Sequence, residues 1–173
     1  NIDDETFKLA DVNPYKCINE FEFDFDVKPF YPQSLTTLST DEVQIDVKNY
    51  PEIEGLMNGK IDLFFEHKGK YYVLDWKSNY LGDNLENYNS ENLALAMNEN
   101  NYHLQYLIYT LAVKKYLESR IANFNYKFQF GGVIYLYVRG MRANQNLGVF
   151  ATKPSWKTLA TLNHKLEGVH YQL

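Results

Sequence analysis

The stretch GKIDLFFEHKGKYYVLDWKSN, residues 59–79, decides the fold and also raises the question of function. Two apolar, strand-forming segments flank the polar segment HKGK at 67–70, whose glycine suits a tight turn, so the stretch predicts a β-hairpin. Strands of this kind are normally apolar or cleanly alternating. Asp62 nevertheless interrupts the first strand, and Asp75 and Lys77 end the second. Packing alone does not explain these three charged residues.

Alternation along a strand places Asp75 and Lys77 on the same face of the hairpin. Asp62 joins them if pairing across the turn brings it opposite, and its separation of 13 residues from Asp75 is what a hairpin requires. Two carboxylates that converge in an apolar sheet repel each other and are costly to desolvate unless a cation lies between them. A hard divalent ion such as Mg²⁺ takes oxygen ligands, often one or two carboxylates plus water and substrate phosphate. A neighbouring lysine would then help to deprotonate the attacking water and stabilise charge on phosphate.

The same residues also have a purely structural interpretation. An Asp-x-Lys tripeptide is common by chance, and Asp75 and Lys77 would then form a surface ion pair that adds little stability. Asp62 favours the catalytic interpretation, because it breaks an otherwise apolar strand. A downstream helical segment carries Gln105 and Tyr109 four residues apart, and hence on one helix face.

The composition indicates a folded protein from a reducing compartment. The chain has 173 residues, 45% of them apolar, with 15 Tyr and 11 Phe, which predicts a single domain over 1–173. The one cysteine, Cys17, excludes an internal disulfide framework or a four-cysteine metal site in this chain and fits the cytoplasm. No apolar run or signal-peptide pattern predicts a membrane partner. The first residue is Asn1 rather than Met, which indicates a domain excised from a longer protein.

Net charge gives only a weak constraint on partners. The formal charge of −5 argues mildly against nucleic acid, because phosphate-binding proteins usually carry a basic surface. A few basic side chains beside the site, or a divalent metal within it, would be sufficient to offset this charge. A nucleic-acid substrate therefore stays open at the level of composition.

The remaining segments predict a mixed sheet with helices. Residues 19–28 alternate Phe or Val with acids, which predicts a half-buried strand with an acidic outer face. Residues 131–138 are apolar nearly throughout and predict a central strand, and 147–152 predict a further one. Helical spacing predicts one long helix over 91–120, and an amphipathic helix from Pro154 or Ser155 to Gly168. This order predicts an α/β fold with a mixed central sheet flanked by helices.

Three motifs together resemble the PD-(D/E)xK nuclease superfamily, and specifically its RecB-type branch. In chain order they are G-x-hydrophobic-D ending at Asp62, D-x-K at Asp75 to Lys77, and Q-x-x-x-Y at Gln105 to Tyr109. The segments YHLQYLIYTLAVKKYL and FGGVIYLYVRGM are also similar to the C-terminal nuclease domains of RecB subunits of exodeoxyribonuclease V. The resemblance runs from about Asn19 to the last helix, and it implies a restriction-endonuclease-like core.

The resemblance implies a Mg²⁺-dependent exodeoxyribonuclease that hydrolyses DNA strands unwound by a helicase, in double-strand break repair and degradation of foreign DNA. Asp62 and Asp75 would ligate the metal together with the backbone carbonyl of Trp76, and Lys77 would be the catalytic lysine. The implied supporting or DNA-contacting residues are Glu20, with Glu22 as its competitor on the same face, Gln105 and Tyr109. The implied partners are single- and double-stranded DNA, the RecC and RecD subunits and the RecA recombinase.

One feature departs from the RecB-type pattern. Those domains carry a metal-binding histidine well upstream of the first strand, whereas all the histidines here follow it; these are His67, His103, His164 and His170. We interpret His67 as part of an exposed turn and His103 as a helix-face residue, and neither as a ligand. The chain is therefore expected to lack part of its metal shell, with reduced metal affinity and activity.

Two alternatives to a nuclease remain open from the sequence. One is a non-cutting module of the same fold that binds DNA or docks partner subunits or the recombinase. The other is an unrelated α/β binding domain with a chance D-x-K motif. Helix tyrosines leave a similar choice, since Tyr102, Tyr106 and Tyr116 are either a stacking platform for single-stranded bases or core residues, and we favour the core.

Overall fold

The computed structural model describes residues 7–143 and 145–167, and their central feature is a five-stranded sheet in the order β1-β2-β3-β4-β5. The strands are β1 Cys17–Phe30, β2 Ile53–His67, β3 Lys70–Lys77, β4 Phe130–Tyr137 and β5 Val149–Thr152. β3 and β4 pair in parallel, and the other neighbours pair antiparallel. The predicted α/β fold, a mixed sheet flanked by helices, is confirmed.

Four α-helices accompany the sheet in the part of the chain described: α1 Ser90–Glu99, α2 Tyr102–Arg120, α3 Tyr126–Gln129 and α4 Trp156–Leu166. The predicted start of α4 is confirmed, because the Ser155 hydroxyl accepts a hydrogen bond from the Thr158 N–H at 3.0 Å. Gly168, predicted to end this helix, lies outside the described residues. Among the described helices, we find no segment with the length and apolar character needed to span a bilayer.

The prediction of one helix over 91–120 is wrong, because the chain breaks between α1 and α2 at Asn100 and Asn101. Asn101 adopts a left-handed backbone conformation with φ of +55°. The Asn100 side chain donates to the Ala96 carbonyl at 2.8 Å. Asparagine competes with the helical backbone for hydrogen bonds and tolerates left-handed geometry, so two in succession end one helix and start another. The break therefore separates α1 from α2.

The two faces of the sheet are covered differently. One face carries the larger core, in which buried residues of all four helices, such as Leu93, Leu107 and Leu159, pack against strand residues such as Val73. The opposite face carries a smaller core of strand residues covered by the N-terminal segment; its buried members are Val12, Leu63, Phe65, Tyr72, Leu74 and Leu136. Side chains that act together with a helix must therefore lie on the first face.

Both strands of the β1–β2 pair change face at the level of Asp62. Ile61 packs in the larger core, yet Leu63, two residues further on, packs in the smaller one. On β1 the partner position is Glu20, whose backbone has φ of +51°, while the register on either side is unchanged. A non-glycine residue in this conformation within a strand is uncommon and marks a local distortion. The distortion lies beside the hairpin residues that the sequence singled out.

Candidate active site

The register of the β2–β3 hairpin brings Asp62 opposite Asp75, as the sequence predicted. The ladder ends with Leu63 paired to Leu74, and the next position on each strand is one of these acids. The Asp62 carboxylate accepts a hydrogen bond from the Trp76 N–H at 2.8 Å. A side chain thus provides an acceptor for a backbone donor just beyond the end of the ladder, which ties the Asp62 carboxylate to the end of β3.

Asp75 and Lys77 form a buried ion pair at the end of β3. Their side chains lie on the helix-covered face, and the residues are 4% and 8% exposed. The Lys77 Nζ lies 2.6 Å from Asp75 Oδ1. Burial raises the pKa of Asp75 above its ordinary value, Lys77 opposes that rise, and the neighbouring charge of Asp62 adds to it. The carboxylate is therefore held in an environment that disfavours its own ionised form.

Two side chains of helix α2 contact Lys77. Lys77 Nζ donates to Gln105 Oε1 at 2.9 Å and lies 3.8 Å from the centroid of the Tyr102 ring. Gln105 Nε2 donates to the Tyr109 hydroxyl at 3.0 Å. The predicted Gln105 and Tyr109 therefore lie together at the site. Of the tyrosines with two interpretations, Tyr106 is buried in the larger core and Tyr102 and Tyr116 pack against it, as the core interpretation requires. Tyr102 also contacts the lysine.

Tyr135 belongs to the same network, and the sequence interpretation missed it. Its hydroxyl donates to Gln105 Oε1 at 2.9 Å, and it pairs in register with Asp75 across the parallel β3–β4 ladder. Burial raises the pKa of Tyr135 strongly and that of Tyr109 to about 12, with Asp75 contributing to both. Both phenols therefore stay protonated donors at neutral pH. The signal was a tyrosine hydroxyl within an otherwise apolar central strand.

The candidate acids of β1 pair with a lysine of β2. Lys60 Nζ lies 3.4 Å from both Glu20 and Glu22, and both glutamates are exposed. The structure thus places both candidates in one ion-pair cluster with Lys60. Glu20 lies at the strand distortion, opposite Asp62, with a left-handed backbone.

The described residues contain no group of three or more His, Cys, Asp or Glu that could hold a metal ion. The interpretation of His67 as part of an exposed turn is wrong, since it is buried and stacks on Phe7 with centroids 4.7 Å apart. His103 is also buried, with Nδ1 3.1 Å from the Tyr106 hydroxyl. His164 lies on α4, and His170 falls outside the described residues. Asp62 and Asp75 are the acids that the structure brings together.

Comparison with known proteins identifies the family. The chain is 40% identical over 161 residues to the RecBCD enzyme subunit RecB of Haemophilus influenzae. This alignment covers 90% of the chain. The chain is also 40% identical over 121 residues to RecB of Escherichia coli and 35% identical over 167 residues to RecB of Buchnera aphidicola, covering 69% and 91% of this chain. The chain belongs to the RecB family. It spans only 13%, 10% and 14% of the lengths of these RecB proteins.

No family model matches the chain. The assignment to the RecB family therefore depends on pairwise similarity to individual RecB proteins. Because the Haemophilus influenzae alignment covers 90% of the chain, the similarity to RecB extends beyond the hairpin to the helices and strands that position it.

Proposed function

We propose that this chain is the nuclease domain of a RecB protein and hydrolyses phosphodiester bonds of DNA with Mg²⁺ as cofactor. The observation that carries the proposal is the buried ammonium of Lys77, held between the Asp75 carboxylate and the Gln105 amide oxygen. A fold gains little from burying such a pair, since desolvation offsets most of the attraction between the charges. A charge pair held this tightly at the end of a strand is typical of a site prepared for chemistry.

The residues at the end of the hairpin fit a hard divalent cation. Asp75 is a buried carboxylate whose pKa is raised, and Asp62 adds a second carboxylate to the same strand end. A cation between them would lower the cost of keeping both ionised. Mg²⁺ commonly needs only one or two protein carboxylates, and we infer the Trp76 carbonyl as a further ligand. When bound, it would supply Lewis-acid polarisation of the phosphoryl oxygen and neutralise developing charge.

The protein groups around the carboxylates have separate roles in this proposal. Lys77 orients the attacking water, assists its deprotonation and stabilises negative charge on the phosphoryl group. Gln105 fixes the lysine through its amide oxygen, which also accepts from Tyr135. Tyr109 presents a protonated phenol beside the carboxylates and would contact the DNA backbone.

The wider activity is inferred from the RecB family. RecB proteins are named as subunits of the RecBCD enzyme, so we propose RecC and RecD as partners of the full-length protein. We also propose unwound DNA as the substrate, both single- and double-stranded DNA as binding partners, and RecA as a further partner in double-strand break repair in the cytoplasm.

Cleavage of labelled single-stranded DNA in Mg²⁺ tests the proposal directly. Asp75→Ala and Lys77→Ala should each lower the rate by about a hundredfold or more, as expected when a metal ligand or a charge-stabilising group is removed. Asp24→Ala is the matched control, because Asp24 is an exposed acid on the outer face of β1. Its rate should equal that of the wild type.

Two results would contradict the proposal. Equal cleavage by the wild type and Asp75→Ala would show that the hairpin is not the site. Absence of cleavage by the wild type, in this chain and in a longer chain with the upstream RecB segment, would instead favour a non-cutting module for DNA binding or docking.

A further inference from the structure

A pocket of about 410 Å³ adjoins the candidate active site, between α2 and the paired strands β1 and β2. Gln105 and Tyr109 line it, and Gln105 also accepts the hydrogen bond from Lys77 at 2.9 Å. One side chain therefore forms a wall of the pocket and holds the lysine of the site. The pocket is also lined by Phe23, Asn58, Gly59, Asn101 and Ile108.

The lining of the pocket carries no charge. It combines carboxamide side chains with aliphatic and aromatic ones. The Asn101 amide nitrogen donates to the Asp46 carbonyl at 2.9 Å, which fixes the direction of the amide. Because it carries no formal charge, such a surface suits a neutral, flat group with hydrogen-bonding edges.

An aromatic wall is built into the pocket by the backbone. A Cβ at Gly59 would lie 2.6 Å from the nearest atom of the Phe23 ring, so glycine is required for the ring to lie where it does. The Phe23 ring meets Tyr109 edge to face, with centroids 5.8 Å apart. The wall is thus fixed by packing on both sides, and it continues directly to the phenol that lies beside the carboxylates.

We propose that this pocket receives an unpaired nucleobase of the strand whose phosphodiester lies at Lys77. The inference rests on the proposed function and specifies how its substrate is held. Nucleobases are neutral and flat, stack on aromatic side chains, and present donors and acceptors that carboxamides can match. A base paired in a duplex cannot enter such a pocket, so the pocket selects strands that are already unwound.

Binding without hydrolysis tests the inference. Fluorescence anisotropy in EDTA would compare a labelled oligothymidylate with an abasic strand of the same length, which keeps the phosphates but lacks the bases. The wild type should bind the base-bearing strand about tenfold more tightly. Asn58→Ala and Ile108→Ala should reduce that ratio to about twofold while affinity for the abasic strand stays unchanged.

Leu95→Ala is the matched control, because Leu95 is an exposed leucine on α1, 55% exposed and outside the pocket lining. It should keep the full ratio. Equal binding of both strands by the wild type, binding of neither, or equal losses for both strands in the pocket variants would overturn the inference. A lost ratio with cleavage intact removes only the base pocket, whereas a retained ratio without cleavage removes only the catalytic proposal.

Discussion

The two ends of the β2–β3 hairpin each carry an acid–lysine pair, and the pKa of the acid is shifted in opposite directions at the two ends. At the turn, Glu66 pairs with Lys16 and accepts the Gly69 N–H at 2.8 Å, and these contacts lower its pKa. At the other end, Asp75 lies 2.6 Å from the Lys77 ammonium, yet burial raises its pKa. The lysine thus favours the ionised acid at both ends, but burial outweighs its effect on the pKa at Asp75 and does not at Glu66.

Solvent and backbone donors explain the difference. Lys16 is half exposed and Glu66 is 16% exposed, so the turn pair loses less hydration than the strand-end pair, and Glu66 gains a backbone donor. Asp75 and Lys77 are nearly fully buried beneath α2, where the loss of hydration outweighs the attraction. Stability therefore accounts for the turn pair and does not account for the strand-end pair, which is the pattern expected when a site is maintained for chemistry.

Replacing each pair by neutral residues should give the largest contrast. The double variant Asp75→Asn with Lys77→Met should raise the free energy of unfolding by about 1–4 kcal/mol, because both desolvated charges disappear. The Gln105 amide oxygen keeps the hydrogen bond that Tyr135 donates, so the loss of Lys77 does not leave it without a donor. The same variant should lose DNA cleavage. Urea unfolding and the cleavage assay measure the two effects.

Glu66→Gln with Lys16→Met is the matched control at the turn. It should lower the free energy of unfolding by less than about 1 kcal/mol, as for exposed ion pairs, and leave cleavage unchanged. A loss of stability in the strand-end variant would show that attraction between Asp75 and Lys77 exceeds the cost of their burial.

The comparison also shows what the sequence could predict. Alternation and spacing are local properties, so they correctly placed Asp75 and Lys77 on one face and predicted Asp62 opposite them. Helical spacing likewise placed Gln105 beside Tyr109. The contribution of Tyr135 was not predictable in the same way, because it depends on a parallel pairing between strands that lie far apart in the chain.

The acids of β1 show where local patterning is insufficient. Alternation put Glu20 and Glu22 on one face, and the resemblance to nucleases made either a candidate. In the structure both glutamates pair with Lys60, and Glu20 has a left-handed backbone opposite Asp62. A positive φ at glutamate has no signature in the sequence, so this local arrangement was not predictable from alternation.

A smaller effect is expected from the backbone of the turn itself. Gly69 has φ of +80°, and a Cβ there would meet nothing within 4 Å, so Gly69→Ala should cost roughly 1 kcal/mol through backbone strain alone. Cleavage should not change, since the turn is at the far end of the hairpin. Lys68→Gly is the matched control, because Lys68 already has φ of +50° and glycine relieves that strain. Reduced cleavage in Gly69→Ala at full folding would show that the two ends are coupled.

The smallest effect is a pH dependence with opposite sign at the two ends. The lowered pKa of Glu66 means that its contribution to stability is present above its ordinary value of 4.5 and is lost as pH falls through the lowered pKa. The raised pKa of Asp75 means that folding is favoured below its ordinary value of 3.8, and that this advantage is lost as pH rises through the raised pKa. On acidification, the wild type should therefore lose stability relative to Glu66→Gln and gain it relative to Asp75→Asn. Urea unfolding at a series of pH values from neutral to acid measures the free energy of unfolding of the wild type relative to each variant. If both move in the same direction, Lys77 holds Asp75 ionised, and the contrast between the two ends is one of exposure alone.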